Sequence, residues 1–373
     1  MISFSRTNNS IFGRWWWTVD RPMLFAFFLM IAFGILMAMA ATPMVAARIG
    51  IEKFYFLKRH LLYIIPSLMI MFSVSILDNR NLKKFALVLY LISIFLIFMT
   101  LIFGMEIKGA RRWISLLGFS IQPSEFAKPA LIIITAWMFS KQQKEPEFPG
   151  KIVAFVFYLV VALLLVLQPD IGMLVVVSGV WFGMLFLNGL PIIYLVGLLI
   201  FGLSGFVLAY LFLPHVTARV DKFLDPSAGD HYQITKSLDA FSAGGLFGVG
   251  PGEGIVKKNL PDAHADFVFS VLGEEFGFFV CVLLVILVAF IVIYGMIRLL
   301  KDSNLFSIFA TTGLLAQFGL QSFINMASSL HLIPTKGMTL PFISYGGSSM
   351  FAISITAGMI LALGRKKSIG SSD

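Results

Sequence analysis

Residues 23–41 read MLFAFFLMIAFGILMAMAA, nineteen positions without a charge. A helix of that length is about 28 Å long, close to the hydrocarbon thickness of a bilayer. The run is too long for the apolar segment of a signal peptide, and no convincing cleavage site follows it. It predicts a first membrane span. The rest of the chain repeats the pattern. Of 373 residues, 58% are hydrophobic and 13% charged, about half the charged fraction of an ordinary soluble domain. A water-facing surface would need more polar cover, so lipid must be the solvent for much of this one.

The fold class expected is all-α: a polytopic membrane protein of about ten spans, counted at roughly twenty apolar residues each. They fall near 22–42, 54–76, 85–104, 123–140, 152–168, 171–187, 191–213, 268–297, 305–329 and 342–363. The expected organisation is a cytoplasmic tail 1–21, one transmembrane domain 22–363 and a cytoplasmic tail 364–373. The short basic segments Asp78–Lys84, Lys141–Lys151, Arg298–Asn304 and Gly364–Lys367 share a side with the tail carrying Arg6, Arg14 and Arg21. Basic loops face the cytoplasm. The net charge of +9 is therefore read as span-end charge meeting anionic lipid, with no nucleic-acid partner. The single Cys281 excludes an intramolecular disulfide and a cysteine-cluster metal site.

The opposite side carries 43–53, 105–121, 168–170, a large loop 214–267 and 330–341. Its loops hold Lys108, Arg111, Arg112, Lys257, Lys258 and Lys336. Such charges run against the positive-inside rule, which points to an anionic ligand there; the alternative is pairing with nearby acids. The large loop opens polar with Arg219, Asp221, Lys222 and Asp225-Pro226. It continues with an expected surface helix Tyr232–Ser242 and the glycine-rich stretch Gly244–Gly254. That stretch lacks the Gly-Lys-Ser/Thr ending and the preceding strand of nucleotide loops. It reads as flexible shaping of a cleft wall.

Several polar residues then need a reason. Asp266 either caps the following helix or serves as a functional acid. His264 is a base, a ligand or an interfacial side chain. Glu274 and Glu275 read as interfacial. Glu125 and Lys128 lie three apart on one helical face, with Lys128 about 10 Å inside the span. A lysine there is expensive unless it is paired locally or held in a polar cavity. By topology the costly groups of spans four, five, eight and ten all converge on the outer half, together with Arg111, Arg112, Trp113, Asp170, Ser344 and Tyr345. Such convergence marks a site.

Five segments carry a resemblance. They are Gly109–Ile114 (GARRWI), Gln122–Lys128 (QPSEFAK), Gln168–Gly172 (QPDIG), Asp262–Gly277 and Ser344–Ser349 (SYGGSS). In this order they resemble the SEDS family of bacterial cell-wall polymerases, and the runs Trp15–Arg21 and Tyr232–Asp266 look more like its division member than its elongation member. Met173 and Ala265 stand where many members have Thr. The resemblance implies polymerisation of lipid II with release of undecaprenyl diphosphate at the outer face of the bacterial inner membrane, at the division septum. It implies Asp266 as the essential carboxylate and Lys128 as a residue able to pair with it. Arg111, Arg112, Trp113, Glu125, Asp170, His264, Ser344 and Tyr345 are the matching candidates to line the substrate site. A divalent cation, magnesium or manganese, could assist the diphosphate. The partners implied are a class B penicillin-binding protein and other division-complex membrane proteins. Lys257 and Lys258 receive no role, because the family varies there. The competing readings are a precursor flippase, the elongation polymerase and a recruiting scaffold.

Overall fold

The computed structural model describes residues 10–107, 110–116, 119–212, 217, 221, 232–334 and 337–365. Lys108, Gly109, Arg219, Lys222, Asp225-Pro226, Lys336 and Lys366-Lys367 lie outside the described residues.

A short helix α1 (Ile11–Thr18) comes first. The long helices are α2 (Arg21–Ile49), α3 (Tyr55–Ser75), α4 (Asn79–Phe103), α5 (Pro123–Lys144), α6 (Gly150–Leu167), α7 (Ile171–Leu187) and α8 (Ile192–Phe212). After α9 (Tyr232–Gly244) come α10 (Val268–Leu299), α11 (Leu305–Ser329) and α12 (Gly347–Leu363). Six of these are long and apolar enough to cross a membrane, and α7 and α12 are shorter apolar helices. With α5 and α8 they make the ten expected crossings. Large side chains such as Phe95, Phe98, Phe103, Leu163 and Phe212 are exposed around the bundle. In water such a surface would drive aggregation; in lipid it is the solvated face.

The helix α5 explains itself by position. It packs against α4, α6, α7, α11 and α12, so it sees protein on every side. Glu125 and Lys128 are buried within it, which a lipid-facing helix could not allow. Cross-links sort the loops onto two ends. At the end carrying the termini, Arg365 donates to the Leu77 carbonyl (2.8 Å) and Trp15 Nε1 to Ser75 Oγ (2.8 Å). At the other end Lys257 Nζ donates to the Ala40 carbonyl (3.0 Å) and Arg48 to the Leu260 carbonyl (3.3 Å).

Four elements differ from expectation. Residues 105–121, expected as a loop, contain an antiparallel sheet in the order β1 (Met105–Ile107), β2 (Ala110–Leu116), β3 (Phe119–Ile121). The first span continues to Ile49 through Pro43. The last span starts at Gly347, not near 342, because Leu340–Tyr345 turns to meet another loop. The expected surface helix is α9, yet Ser237, Ala240 and Gly244 on it are buried against α10.

The kink in α10 accounts for the glycine-rich stretch. Gly277 sits at φ 78°, ψ −176° inside α10, a conformation that side chains resist. The break frees backbone groups that burial would leave costly. The loop supplies partners for four of them: Val249 N and Gly250 N donate to the Glu274 and Glu275 carbonyls (2.9 and 3.0 Å). In return Phe278 N and Phe279 N donate to the Gly245 and Leu246 carbonyls (3.0 and 3.3 Å). The approach needs glycine on both sides, since a Cβ on Gly248 would stand 2.2 Å from the Glu275 carbonyl oxygen. The stretch is a backbone splint across a broken helix, not a flexible wall. Beyond the break, Phe278–Leu299 is about 33 Å long and does the crossing.

The same splint corrects the reading of the two acids. Glu274 and Glu275 are fully buried rather than interfacial. Glu274 accepts from Val256 N and Lys257 N (2.7 and 2.9 Å), and Glu275 forms an ion pair with the buried Lys257.

Candidate active site

The site forms where two loops meet at the end away from the termini. The first is Asp262–Phe267. Asp262 takes φ 51°, a left-handed conformation that aspartate tolerates better than most residues. Its carbonyl then accepts from Ala265 N (2.9 Å), Asp266 N (3.1 Å) and Phe267 N (3.4 Å). This turn delivers Asp266 just ahead of α10. The cap position of α10 is Phe267, whose side chain makes no cap bond.

The second loop is Gly337–Gly346. Ser344 Oγ donates to the Ala265 carbonyl (2.6 Å) and accepts from Leu340 N (2.8 Å). Tyr345 N donates to the His264 carbonyl (2.8 Å). Asn325 Nδ2 clasps both loops, donating to the carbonyls of Asp266 (3.0 Å) and Met338 (2.6 Å). Asp266 Oδ2 lies 3.4 Å from where a Cβ on Gly337 would stand. Gly337 takes φ 63°, a left-handed conformation that favours glycine, and so its backbone turns beside the partly exposed Asp266.

The loop is held under strain. Phe342 adopts φ 62°, an outlier for a bulky residue of the kind that persists where surroundings over-determine it. The restraint is α2: a Cβ on Gly34 would stand 2.1 Å from the Phe342 carbonyl oxygen. Gly34→Ala gains about 1 kcal/mol of helix propensity but overpacks at a cost of about 1–3 kcal/mol. The clash should win: the thermal midpoint in detergent is expected to fall, whereas a rise would mean that α2 does not restrain the loop.

Lys128 joins this pair of loops indirectly. Its ammonium is 2.8 Å from Glu125 Oε2 and donates to Gln321 Oε1 (2.8 Å). Gln321 Nε2 reaches on to the Thr339 carbonyl (3.1 Å) and Oγ1 (3.3 Å). The resemblance implied a Lys128–Asp266 pair. In the structure Lys128 pairs with Glu125 and reaches the loop beside Asp266 through Gln321. Deeper along α5 a cavity of only about 10 Å³ is walled mostly by apolar groups, among them Leu131, Val177 and Trp181.

The small sheet brings up the remaining charges. Alternate strand residues face opposite ways, so Arg111 and Arg112 separate. Arg112 pairs with Asp170 (3.5 Å) and donates to the Pro169 carbonyl; Arg111 meets Glu106 (3.4 Å) at the exposed surface. Trp113 lies opposite Met105 in the ladder, and a register shift between Met105 and Glu106 sets it apart from the Arg111–Glu106 pair. Asp170 also caps α7 through Met173 N (3.3 Å). Burial pushes its carboxyl above the ordinary carboxylate range, against the lowering effect of Arg112 and the Met173 N–H. His264 stacks near Phe56 and Tyr345, with ring centroids 5.0 and 5.4 Å apart. Burial pulls its imidazole pKa down, Asp262 opposes and Arg48 assists, so it is neutral near pH 7.

Asp266, His264, Ser344 and Tyr345 are thus brought together, with Lys128 and Glu125 one side-chain relay away and Arg112 and Asp170 paired alongside. Sequence reasoning missed Gln321 and Asn325. Their signal was present: Gln317, Gln321 and Asn325 recur every fourth residue, one face of a helix in a span that lipid alone would keep apolar. Among the described residues no three His, Cys, Asp or Glu side chains converge. The donor set therefore does not fit a divalent cation held by protein ligands alone, and no step is routed through one.

Comparisons with known proteins find likenesses along most of the chain. The family model FtsW/RodA/SpoVE, described as cell cycle protein, matches residues 20–369. The probable peptidoglycan glycosyltransferase FtsW of Caulobacter vibrioides is 43% identical over 98% of this chain and 94% of its own. A chain from a peptidoglycan synthase complex, described for its structural coordination of polymerization and crosslinking, superposes with a TM-score of 0.78 at 28% identity. It covers 93% of this chain and 97% of its own. The rod shape determining protein RodA of Thermus thermophilus gives a TM-score of 0.69 at 28% identity, over 94% of this chain and 97% of its own.

Proposed function

The chain belongs to the FtsW/RodA/SpoVE family of cell cycle proteins, and on that premise we propose that it is a peptidoglycan glycosyltransferase of cell division. It polymerises lipid II into glycan strands at the outer face of the cytoplasmic membrane. The division role and the septal location rest on the likeness to the FtsW relatives.

The reaction joins an acceptor sugar hydroxyl to the donor's anomeric carbon and expels undecaprenyl diphosphate. The donor linkage is α and the product β, so one inverting displacement suffices. Asp266 takes the hydroxyl proton as the new C–O bond forms and the bond to diphosphate breaks. No second carboxylic acid is needed, because diphosphate is already a good leaving group. Arg111, exposed on the sheet, is placed to meet the diphosphate, and the partly buried Trp113 is the candidate to meet the sugar. Arg112 is committed to Asp170 and holds the sheet against the 168–170 turn. Lys128 acts through Gln321 and Thr339 to position the loop beside Asp266.

The observation that carries this reading is the partly exposed Asp266 beside the backbone of Gly337, in a cleft it shares with His264, Ser344 and Tyr345 at one end of the bundle. A carrier would need a polar route through both leaflets. Below Lys128 the packed interior leaves a cavity of only about 10 Å³, too small for a sugar, which supports an enzyme that works from one side. The chain works with a cross-linking partner, a class B penicillin-binding protein; the likeness to a chain of a peptidoglycan synthase complex supports this. Purified protein with that partner and labelled lipid II should yield a ladder of glycan polymers. Movement of lipid II between leaflets without polymer would replace the enzyme by a carrier.

A further inference from the structure

A second site lies at the opposite end of the bundle, where α1, the start of α2 and the end of α10 line an open pocket of about 610 Å³. Its lining brings together Arg21, Arg298 and Lys301 with the single acid Asp20, beside Trp17, Tyr294 and Ile297. Asp20 is fully occupied. It caps α2 through Met23 N (3.2 Å), accepts from Tyr294 OH (3.1 Å) and forms an ion pair with Arg298. Arg298 is spent on Asp20 and on the Gly364 carbonyl. Two positive charges, Arg21 and Lys301, are left over. The Arg21 guanidinium stands 5.1 and 5.0 Å from the ring centroids of Trp16 and Trp17, so cation–π contact fixes it in place.

The surroundings say where the anion comes from. The helix α1 is anchored by Trp15 and Phe72, whose rings lie 4.7 Å apart, while Phe12 and Trp17 remain exposed. On the other wall Ile297 is exposed at 57%, and Ile293, one turn closer to the bilayer centre, is exposed to the same extent. Aromatic and basic residues beside exposed aliphatic ones are the composition of a membrane–water boundary. A free soluble anion needs no apolar wall, whereas a lipid presents its charge and its chains together.

We propose that this cavity binds the headgroup of an anionic phospholipid, with Arg21 and Lys301 on its phosphate and the acyl chains running along Ile297 and Ile293. The site is separated from the Asp266 cleft by the crossing segment of α10, about 33 Å long.

The test uses the full chain in mild detergent with native mass spectrometry, titrating phosphatidylglycerol, phosphatidylcholine and inorganic phosphate. The wild type should retain phosphatidylglycerol in preference to phosphatidylcholine. Arg21→Gln/Lys301→Gln should weaken phosphatidylglycerol binding about thirtyfold, each cation near an anionic headgroup being worth about fivefold. Lys301→Gln alone, at an exposed side chain, should weaken it about fivefold and guards against a folding defect in the double variant. Equal retention of the two lipids, unchanged retention by both variants, or displacement of the lipid by millimolar inorganic phosphate would each overturn the proposal; the last would assign the cavity to a free anion.

Discussion

Asp266→Asn is expected to lower lipid II polymerisation by about 10²–10⁴-fold, the usual scale of a lost general base, with the protein still folded. The expectation of a folded variant follows from how the turn is held. Asp266 N donates to the Asp262 carbonyl, and the Asp266 carbonyl accepts from Asn325; both contacts are backbone and survive the change. Asparagine keeps the shape beside Gly337 and loses only the ability to take a proton. The check is the initial rate of glycan formation from labelled lipid II, alongside the thermal midpoint in the same detergent. A wild-type rate would remove Asp266 as the base. A lost rate with a collapsed midpoint would show that the carboxylate is structural.

The second large effect is expected far from the reacting atoms. Lys257 is 2% exposed, pairs with Glu275 and donates to the Ala40 carbonyl. It ties α2, the α10 kink and the glycine-rich splint together, directly upstream of the Asp262 turn. Lys257→Met leaves the Glu275 carboxylate buried without its cation, a change that costs about 3–5 kcal/mol. Replacing both partners by apolar residues removes that unpaired charge and is often close to neutral. Lys257→Met alone should therefore lower the thermal midpoint and polymerisation together, and Lys257→Met/Glu275→Leu should recover most of the stability. A single variant as stable as the wild type would show that the pair does not hold the splint.

These contacts show which parts of the molecule could be read from residue patterns. The spans were legible because lipid imposes one simple demand, length of apolar run, and Met23–Ala41 or Phe278–Val292 meets it without tertiary context. The convergence of Asp266, Ser344 and Tyr345 was legible because membrane topology sorts loops onto two ends. The sheet at 105–121 was not, since its alternation is masked by the two adjacent arginines, and those arginines read as a pair until the strand sent them to opposite faces. The burial of Glu274, Glu275 and Lys257 was hidden for another reason. It depends on a break at Gly277 that only long-range hydrogen bonds from residues 245–250 make tolerable. The relay Lys128–Gln321–Thr339 was missed because attention to charge passes over uncharged amides, although their fourfold spacing on α11 was in view.

The proposed enzyme is one-sided, with a carboxylate cleft at the face away from both chain termini and only a cavity of about 10 Å³ beneath Lys128. Its most direct test is oriented proteoliposomes holding the protein with its transpeptidase partner, with labelled lipid II confined to one leaflet at a time. Polymer should form when lipid II occupies the leaflet on the Asp266 side and should be absent when it is confined to the leaflet on the side of the termini. Equal polymer from either leaflet, or steady transfer of lipid II across the bilayer without polymer, would contradict it.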